Sequence, residues 1–501
     1  MTDEHRVTVK DIIDLLDYNR EGRRNIRIID SESSGGDDGG EMKERAYSDF
    51  IKSKEIESIN EGIEFDESEL NKNLMPFQRD IVAWALRKGR AAIFSDCGTG
   101  KTIMQISFAD LICRHTGGRA LILCPLSVAE QTKKESMKFG IKSRICRQQS
   151  DVGDGINIAN YEILSHFDAS TFNCIVLDES SILKSFTSST RNELIDTFAR
   201  TPYRLCCSAT PAPNDFSELG NTVEFLGIMS RSEMLATYFI HDGSDTSKWR
   251  LKGYGVTKFW EFVAHWAVCV RSPSDLGYSN DAFKLPNLNL IEHIVVSPPT
   301  EGYLVAMRAE TLSERRTARK ESMEKRMEEA KRLVSENNYQ WIVWCDYNVE
   351  SSALHTAITD STEVVGSDAP AYKAESAIKF SDGDIRVIVS KPSIYGFGMN
   401  FQNCHNMIFC GISDSYEQFY QAVRRCWRYG QDKPVNVHII ISEAEMNVLD
   451  NIKRKQADMD TMQNNMVSLM RDVTMSEIKK TTRITTDYKP NKRMEIPTWI
   501  A

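Results

Sequence analysis

From residue 76 onward the chain alternates short, wholly apolar runs with longer amphipathic stretches. This is the pattern of strands buried on both faces of a parallel sheet and covered by helices. Runs at 91–94, 120–124, 174–177 and 204–207 predict one α/β lobe over residues 76–235. Runs at 341–344, 364–365, 385–389, 407–409 and 435–441 predict a second lobe over 301–475. Between them, residues 236–300 are aromatic-rich without a clear period and read as an insertion. The second lobe opens with a charged helical stretch over 301–335. Its cluster Arg315, Arg316, Arg319 and Lys320 is balanced by Glu314, Glu321 and Glu324, so it reads as a solvated helix face, with a DNA-facing patch as the alternative. Residues 1–75 are polar: a short helix face of Val9, Ile12, Ile13, Leu15 and Leu16 is followed by the Ser-Ser-Gly-Gly-Asp-Asp-Gly-Gly linker at 33–40. Residues 476–501 read as a tail, and no internal repeat is evident.

Charge changes this picture only when divided along the chain. The net charge of −9 resides wholly in residues 1–75, which hold 20 acidic and 11 basic side chains. The remaining body is neutral and is free to carry a basic groove, because phosphate binding depends on local charge. The acidic segment is an expected contact for a protein partner. The 12 cysteines are scattered without a CxxC pair, and several sit in apolar runs, which predicts buried free thiols and excludes a disulfide framework. Cys404 beside His405 is read as packing. No stretch approaches the roughly 20 apolar residues that span a bilayer, so no membrane association and a cytoplasmic location are expected.

Residues 91–102 carry the most specific chemistry: an apolar strand runs through Ser95-Asp96-Cys97-Gly98-Thr99-Gly100-Lys101-Thr102 into a helix. A strand, a glycine-rich turn and a helix N-terminus form a phosphate cradle. Gly98, Thr99 and Gly100 offer backbone N–H groups, Lys101 reaches terminal phosphates, and the Thr102 hydroxyl holds Mg2+. The first glycine of the usual motif is Ser95 here. Downstream, residues 175–177 lead into Asp178 and Glu179, a strand ending in two carboxylates. Behind a phosphate cradle such a pair supplies a metal-shell ligand, Asp178, and a residue that orients and deprotonates the attacking water, Glu179.

With these motifs in place, the chain resembles helicase superfamily two, and within it the Snf family of DEAD/DEAH-box-like, DNA-dependent ATPases and translocases, over about residues 76–455. Some compact bacteriophage-encoded members are similar. Phe77-Gln78 stands where that family places a glutamine reading adenine through its amide. Residues 208–214, Ser-Ala-Thr-Pro-Ala-Pro-Asn, with Glu218-Leu219 after them, resemble the segment that couples nucleotide to track. Ser390 and residues 396–401, including Gly398 and Asn400, resemble the turns that touch the phosphate backbone. Gln421-Ala422-Val423-Arg424-Arg425-Cys426-Trp427-Arg428-Tyr429-Gly430-Gln431 matches Q-A-x-x-R-x-x-R-x-G-Q. Its Arg425 and Arg428 are expected three apart on one helix face, reaching across the cleft toward the γ-phosphate. The second motif reads Asp178-Glu179-Ser180-Ser181, where the family usually ends in histidine.

The resemblance implies two tandem RecA-like P-loop lobes, ATP and Mg2+ as cofactors, and an ATP hydrolase built across the cleft. Catalytic residues are Lys101, Asp178, Glu179, Gln421, Arg425 and Arg428. Gln78 and residues 98–102 hold ATP, and Thr102 and Asp178 hold the metal. Pro125, Ser208, Thr210, Ser390, Gly398 and Asn400 serve the nucleic acid or its coupling, with further turns at Leu126-Ser127 and Asn160-Tyr161. The expected function is a motor on double-stranded DNA. A strand-separating DNA or RNA helicase is the first alternative, and an ATP-latched nucleic-acid-binding protein with little turnover the second.

Overall fold

Short apolar strands of three to eight residues, set between helices, assemble into two parallel sheets. The computed structural model describes residues 61–478, except 126–127, 185–187, 214, 242–248, 297–307, 310 and 397–398. The N-terminal helix face, its linker, the C-terminal tail, Gly398 and Leu126-Ser127 lie outside the described residues.

Lobe 1 contains β1 (Arg90–Ser95), β2 (Arg119–Cys124), β3 (Ser143–Ile145), β4 (Gly155–Asn160), β5 (Cys174–Asp178) and β6 (Tyr203–Ser208). A short antiparallel pair, β7 (Phe239–His241) with β8 (Trp249–Leu251), stands apart. The sheet order is β3-β4-β2-β5-β6-β1-β9, where β9 is Ala267–Val270. Lobe 2 contains β10 (Leu288–Val295), β11 (Trp341–Trp344), β12 (Ser361–Val364), β13 (Val387–Ser390), β14 (Asn406–Cys410) and β15 (Val435–Ser442), in the order β10-β15-β14-β11-β13-β12. All pairings within both sheets are parallel.

The segment expected as an insertion supplies an edge strand to each sheet. β9 pairs with β1, and β10 pairs over eight residues with β15. Edge position hid them: Asn289, Glu292 and His293 interrupt the apolar residues of β10, and its burial alternates between half-buried and exposed along most of the strand.

Helix α1 (Pro76–Lys88) starts with proline at its first position and ends at Gly89 with φ 72°. It packs against α2 (Lys101–Thr116), the helix that closes the phosphate cradle. In lobe 1, α3 (Val256–Ala264) buries Phe259, Trp260, Phe262 and Val263. In lobe 2, the expected charged helix is two helices, α4 (Leu312–Glu321) and α5 (Met323–Ser335), meeting at Ser322. Arg319 is not on a solvated face. It is 5% exposed, and bonds Glu350, Asp346 and the Ile412 carbonyl. Arg326 is wholly buried, bonding Glu350 and the carbonyls of Cys410 and Arg319. The charges turn inward because the ends of β11 and β14 present carboxylates and unpaired carbonyls that only guanidinium forks satisfy.

Helix α6 (Tyr416–Val423) precedes β15, and after β15 the chain enters α7 (Met446–Ile478). Although it follows lobe 2 in sequence, α7 packs on α3, β9 and α1 of lobe 1. Its Met459, Met466 and Met470 lie in an apolar cluster that runs continuously from lobe 1 to lobe 2. All 12 cysteines are buried and free.

Candidate nucleotide site between the lobes

The phosphate cradle is built by β1 and the first turn of α2. Gly98 and Gly100 have φ of 87° and 88°, left-handed values that side chains rarely adopt. A Cβ on Gly98 would stand 2.9 Å from the Tyr429 ring of lobe 2, and one on Gly100 would stand 2.3 Å from the Gln78 amide. Glycine is therefore required here for conformation and for close approach of both lobes. Thr99 is fully buried, and its hydroxyl donates to the Asp96 carbonyl at 2.7 Å while lying 2.9 Å from Ser95 Oγ. Ser95, in place of the usual glycine, thus knits the cradle from inside.

The Lys101 ammonium donates to the carbonyls of Ser95 at 2.9 Å and Asp96 at 3.3 Å, folding back over its own loop. Gln78 Nε2 donates to the Thr99 carbonyl at 2.8 Å, and its Oε1 accepts from Met75 N at 3.0 Å. The amide braces the cradle against α1, retaining one N–H and one lone pair for a base edge. Asp178 lies at the end of β5 and accepts from Gln105 Nε2 at 2.6 Å, while its carbonyl accepts from Tyr161 OH at 2.7 Å. Thr102 stands three residues before Gln105, hence on the same face of α2. Glu179 follows with φ 53°, the single described non-glycine residue with positive φ. Its Oε2 is buried without a partner among the described residues. Burial pushes the Glu179 carboxyl up to about 7; Lys101 and Arg425 oppose this, while Asp178 and Glu417 add to it. Burial likewise raises Asp178, against Gln105 and Lys101.

Lobe 2 brings its strongest motif onto this cradle. Helix α6, capped by Ser415, ends at Val423. Arg425 and Arg428 therefore lie in the tight turns after the helix and not on one helix face. The chain leaves helical geometry through short-range bonds from Arg425 N to Ala422 O and from Arg428 N to Cys426 O, and reaches Gly430 at φ 91°. The turn nevertheless faces the cleft. Arg424 is fully buried, bonds the Cys97 carbonyl and pairs with Asp96 at 3.2 Å. Tyr420 OH donates to Asp96 as well. Arg424 lies over the rings of Tyr420, Trp427 and Tyr429 at 4.9–5.9 Å. Arg425 is 5% exposed and is held by Gln421 O at 2.8 Å, Gln421 Oε1 at 2.8 Å and Met399 O at 3.0 Å. Burial beside Arg425 brings the Arg428 guanidinium down to about 10.

An aromatic run closes one wall: Phe77 meets Phe283 at 5.3 Å and Phe283 meets Tyr429 at 5.0 Å. Sequence reading missed Arg424, Gln105 and Phe283, and assigned Tyr161 to the nucleic acid when its hydroxyl is spent on the Asp178 carbonyl. Arg424 occupies a variable position of its motif, and Phe283 sits in a segment without period. Gln105 was legible in principle, one turn beyond Thr102.

The nucleic-acid residues divide differently. Ser390 is fully buried, with its hydroxyl on the Val364 carbonyl at 2.9 Å, and so cannot touch a phosphate backbone; it ties β13 to β12. Ser208 and Thr210 are also interior, Thr210 N donating to Ser208 Oγ at 3.0 Å. Tyr161 is committed to Asp178. Asn400 is exposed and Pro125 half-buried.

The donors present fit a nucleotide with its metal. Gln421 Nε2, Arg428 Nε, Arg424 Nε and Glu179 Oε2 are buried around the cradle without partners among the described residues. That is an arrangement a polar, highly charged ligand would satisfy.

Two parallel α/β lobes around one P-loop cleft define a helicase-type ATPase with two RecA-like lobes. Residues 77–239 match an SNF2-related domain and residues 325–430 a helicase conserved C-terminal domain, together more than half of the chain. The chain belongs to the SNF2-related helicase-like ATPases. It is 29% identical over 164 residues to the SWI/SNF-related matrix-associated actin-dependent regulator of chromatin subfamily A-like protein 1 of Xenopus tropicalis, covering 30% of this chain and 17% of that protein. It is 21% identical over 445 residues to the DNA annealing helicase and endonuclease ZRANB3 of Mus musculus, covering 77% of this chain and 40% of that one. The chain thus spans well under two thirds of these relatives. A Sulfolobus solfataricus SWI2/SNF2 ATPase core in complex with dsDNA is similar at 17% identity and TM-score 0.38, over 83% of this chain and 98% of that one. The similarity to bacteriophage-encoded members finds no support among these relatives.

Proposed function

We propose that the protein is an ATP-driven translocase on double-stranded DNA, hydrolysing ATP between its lobes with Mg2+. The observation that carries this reading is the seating of the Arg424–Tyr429 turn of lobe 2 on Asp96, Cys97 and Gly98 of lobe 1. Neither lobe holds a complete set of groups for phosphoryl transfer, so nucleotide state and lobe position are one variable.

Each residue then has a defined task. Lys101 exchanges its bonds to the Ser95 and Asp96 carbonyls for terminal phosphate oxygens. Thr102 and Asp178 would hold Mg2+, which, when bound, neutralises developing phosphate charge. Glu179, pushed toward neutrality, accepts the proton of the attacking water. Gln421 positions Arg425, and Arg425 and Arg428 stabilise charge on the transferred group. Gln78 reads the base with its remaining amide valences. The chromatin and DNA names of the relatives favour DNA over RNA as the track. Pro125 and Asn400 are the remaining proposed contacts to its backbone.

The test is ATP turnover measured in parallel with duplex DNA, single-stranded DNA and RNA, beside triplex displacement. The expected result is stimulation of several-fold by duplex alone, and loss of turnover in Lys101→Ala and Glu179→Gln. Turnover indifferent to nucleic acid, or strand separation without triplex displacement, overturns the proposal.

A further inference from the structure

One lobe-2 carboxylate lies outside every motif described above, yet meets lobe 1 at two catalytic segments. Glu417 is in the first turn of α6, four residues before Gln421 and so on the same face. Its side chain is 8% exposed. One oxygen pairs with Lys184 Nζ, and the other accepts from Thr210 Oγ1 at 3.4 Å.

Both partners belong to loops that leave the ATP site. Lys184 ends the short turn Ser180–Lys184 directly after Asp178 and Glu179. Its carbonyl is fixed by Asn221 Nδ2 at 3.1 Å. Thr210, 1% exposed, follows β6 and is pinned through its N–H to Ser208. A second contact converges here: Gln463 Nε2, from α7, which follows lobe 2 in the chain but rests on lobe 1, donates to the Ala209 carbonyl at 3.2 Å. The tail of the hydrolytic strand and the tail of its neighbour therefore both end on groups supplied by lobe 2.

We propose that Glu417 is the positioning residue that couples lobe movement to hydrolysis, holding the Lys184 and Thr210 segments in register only while the lobes are closed. The proposal rests on the translocase reading and deepens it. A carboxylate this buried must keep its donors or meet water. Separation of the lobes breaks both bonds at once, and the two loops that frame Asp178 and Glu179 lose their common anchor. A contact made in one lobe arrangement and absent in the other biases the equilibrium between them, which is what coupling requires. Because Lys184 is 37% exposed, the ion pair alone is a weak one; the buried Thr210 bond supplies the geometric constraint.

The experiment uses the full chain and linear duplex DNA, comparing wild type, Glu417→Gln, Lys184→Met and the charge exchange Lys184→Glu with Glu417→Lys. In Glu417→Gln the ratio of duplex-stimulated to duplex-free kcat is expected to fall about tenfold, within the usual range of coupling between sites. KM for ATP is expected to stay within about twofold, and the charge exchange to recover most of the ratio. Triplex displaced per ATP should fall with the ratio. Should Glu417→Gln fold poorly, Lys184→Met, on the more exposed partner, reads the same ratio. An unchanged ratio in both single variants overturns the proposal, as does a parallel fall of kcat with and without duplex. Failure of wild-type protein to respond to duplex overturns the translocase reading first. A duplex-responsive wild type with an indifferent Glu417→Gln overturns the coupling role alone.

Discussion

At the scale of single residues, the site is a set of polar groups whose valences are partly used by the protein and partly left open. Gln105 shows the difference. It is fully buried and donates to Asp178 at 2.6 Å, so it holds the carboxylate at the end of β5 in one orientation. Gln105→Leu removes that donor from a buried carboxylate without changing side-chain volume much. The expected outcome is a fall in kcat of about tenfold to a hundredfold, from loss of an orienting bond of the kind worth 10–100-fold around metal sites. Thermal unfolding and the Mg2+ dependence of turnover check it, since the concentration of Mg2+ needed for half-maximal rate should rise. Lys101, Asp178, Glu179, Arg425 and Arg428 were legible as candidates because phosphate chemistry demands those types at fixed offsets from a strand end. Arg424 was not legible: nothing in its motif position distinguishes it from a surface arginine until Asp96 and Cys97 are brought opposite. Ser390 misled in the reverse sense, because a serine after a strand reads alike whether its hydroxyl meets a phosphate or the Val364 carbonyl.

At the scale of elements, the apolar runs located strands buried on both faces, and failed at the sheet edges. Asn289, Glu292 and His293 interrupt the apolar residues of β10, and β9 is a four-residue run inside aromatic text, so neither announced its sheet. The charged stretch before β11 failed for a different reason. Composition gives helix, but whether a guanidinium faces water or a buried carboxylate depends on what the facing strands present. Arg319, Arg326 and Glu350 form an ion network with Glu350 2% exposed. Glu350→Ala leaves the buried Arg326 guanidinium without its anion and Arg319 with Asp346 alone. It is expected to destabilise lobe 2 by about 3–5 kcal/mol, the usual cost of removing one partner from a buried pair. Glu324→Ala, on the outer side of α5, is expected within about 0.5 kcal/mol of wild type. Chemical denaturation followed by tryptophan fluorescence reads both, as Trp341 and Trp344 lie in β11 of this lobe.

At the scale of the molecule, α7 and an apolar cluster continuous from lobe 1 to lobe 2 join the two lobes among the described residues. The proposed motor, with a neutral body overall, would grip phosphates through local groups and release counterions on binding. Duplex stimulation of turnover is therefore expected to require about tenfold or more higher DNA concentration on raising salt from 50 to 200 mM, while DNA-free turnover changes little. A titration of ATPase against duplex length and salt checks this; stimulation insensitive to salt contradicts a phosphate-backbone track.

The sequence by itself determined the two α/β lobes, the glycine-rich phosphate cradle and the candidate residues that face it. These follow from short-range rules: strands buried on both faces must be continuously apolar, and a phosphate-binding turn needs glycine, lysine and a hydroxyl in fixed order. Only the tertiary structure decided that Arg424 grips the cradle, that Glu417 bridges Lys184 and Thr210, and that β9 and β10 complete the sheets. Those contacts join positions at least 147 residues apart, the separation of Leu288 and Val435, and no local pattern encodes which buried charge will meet which.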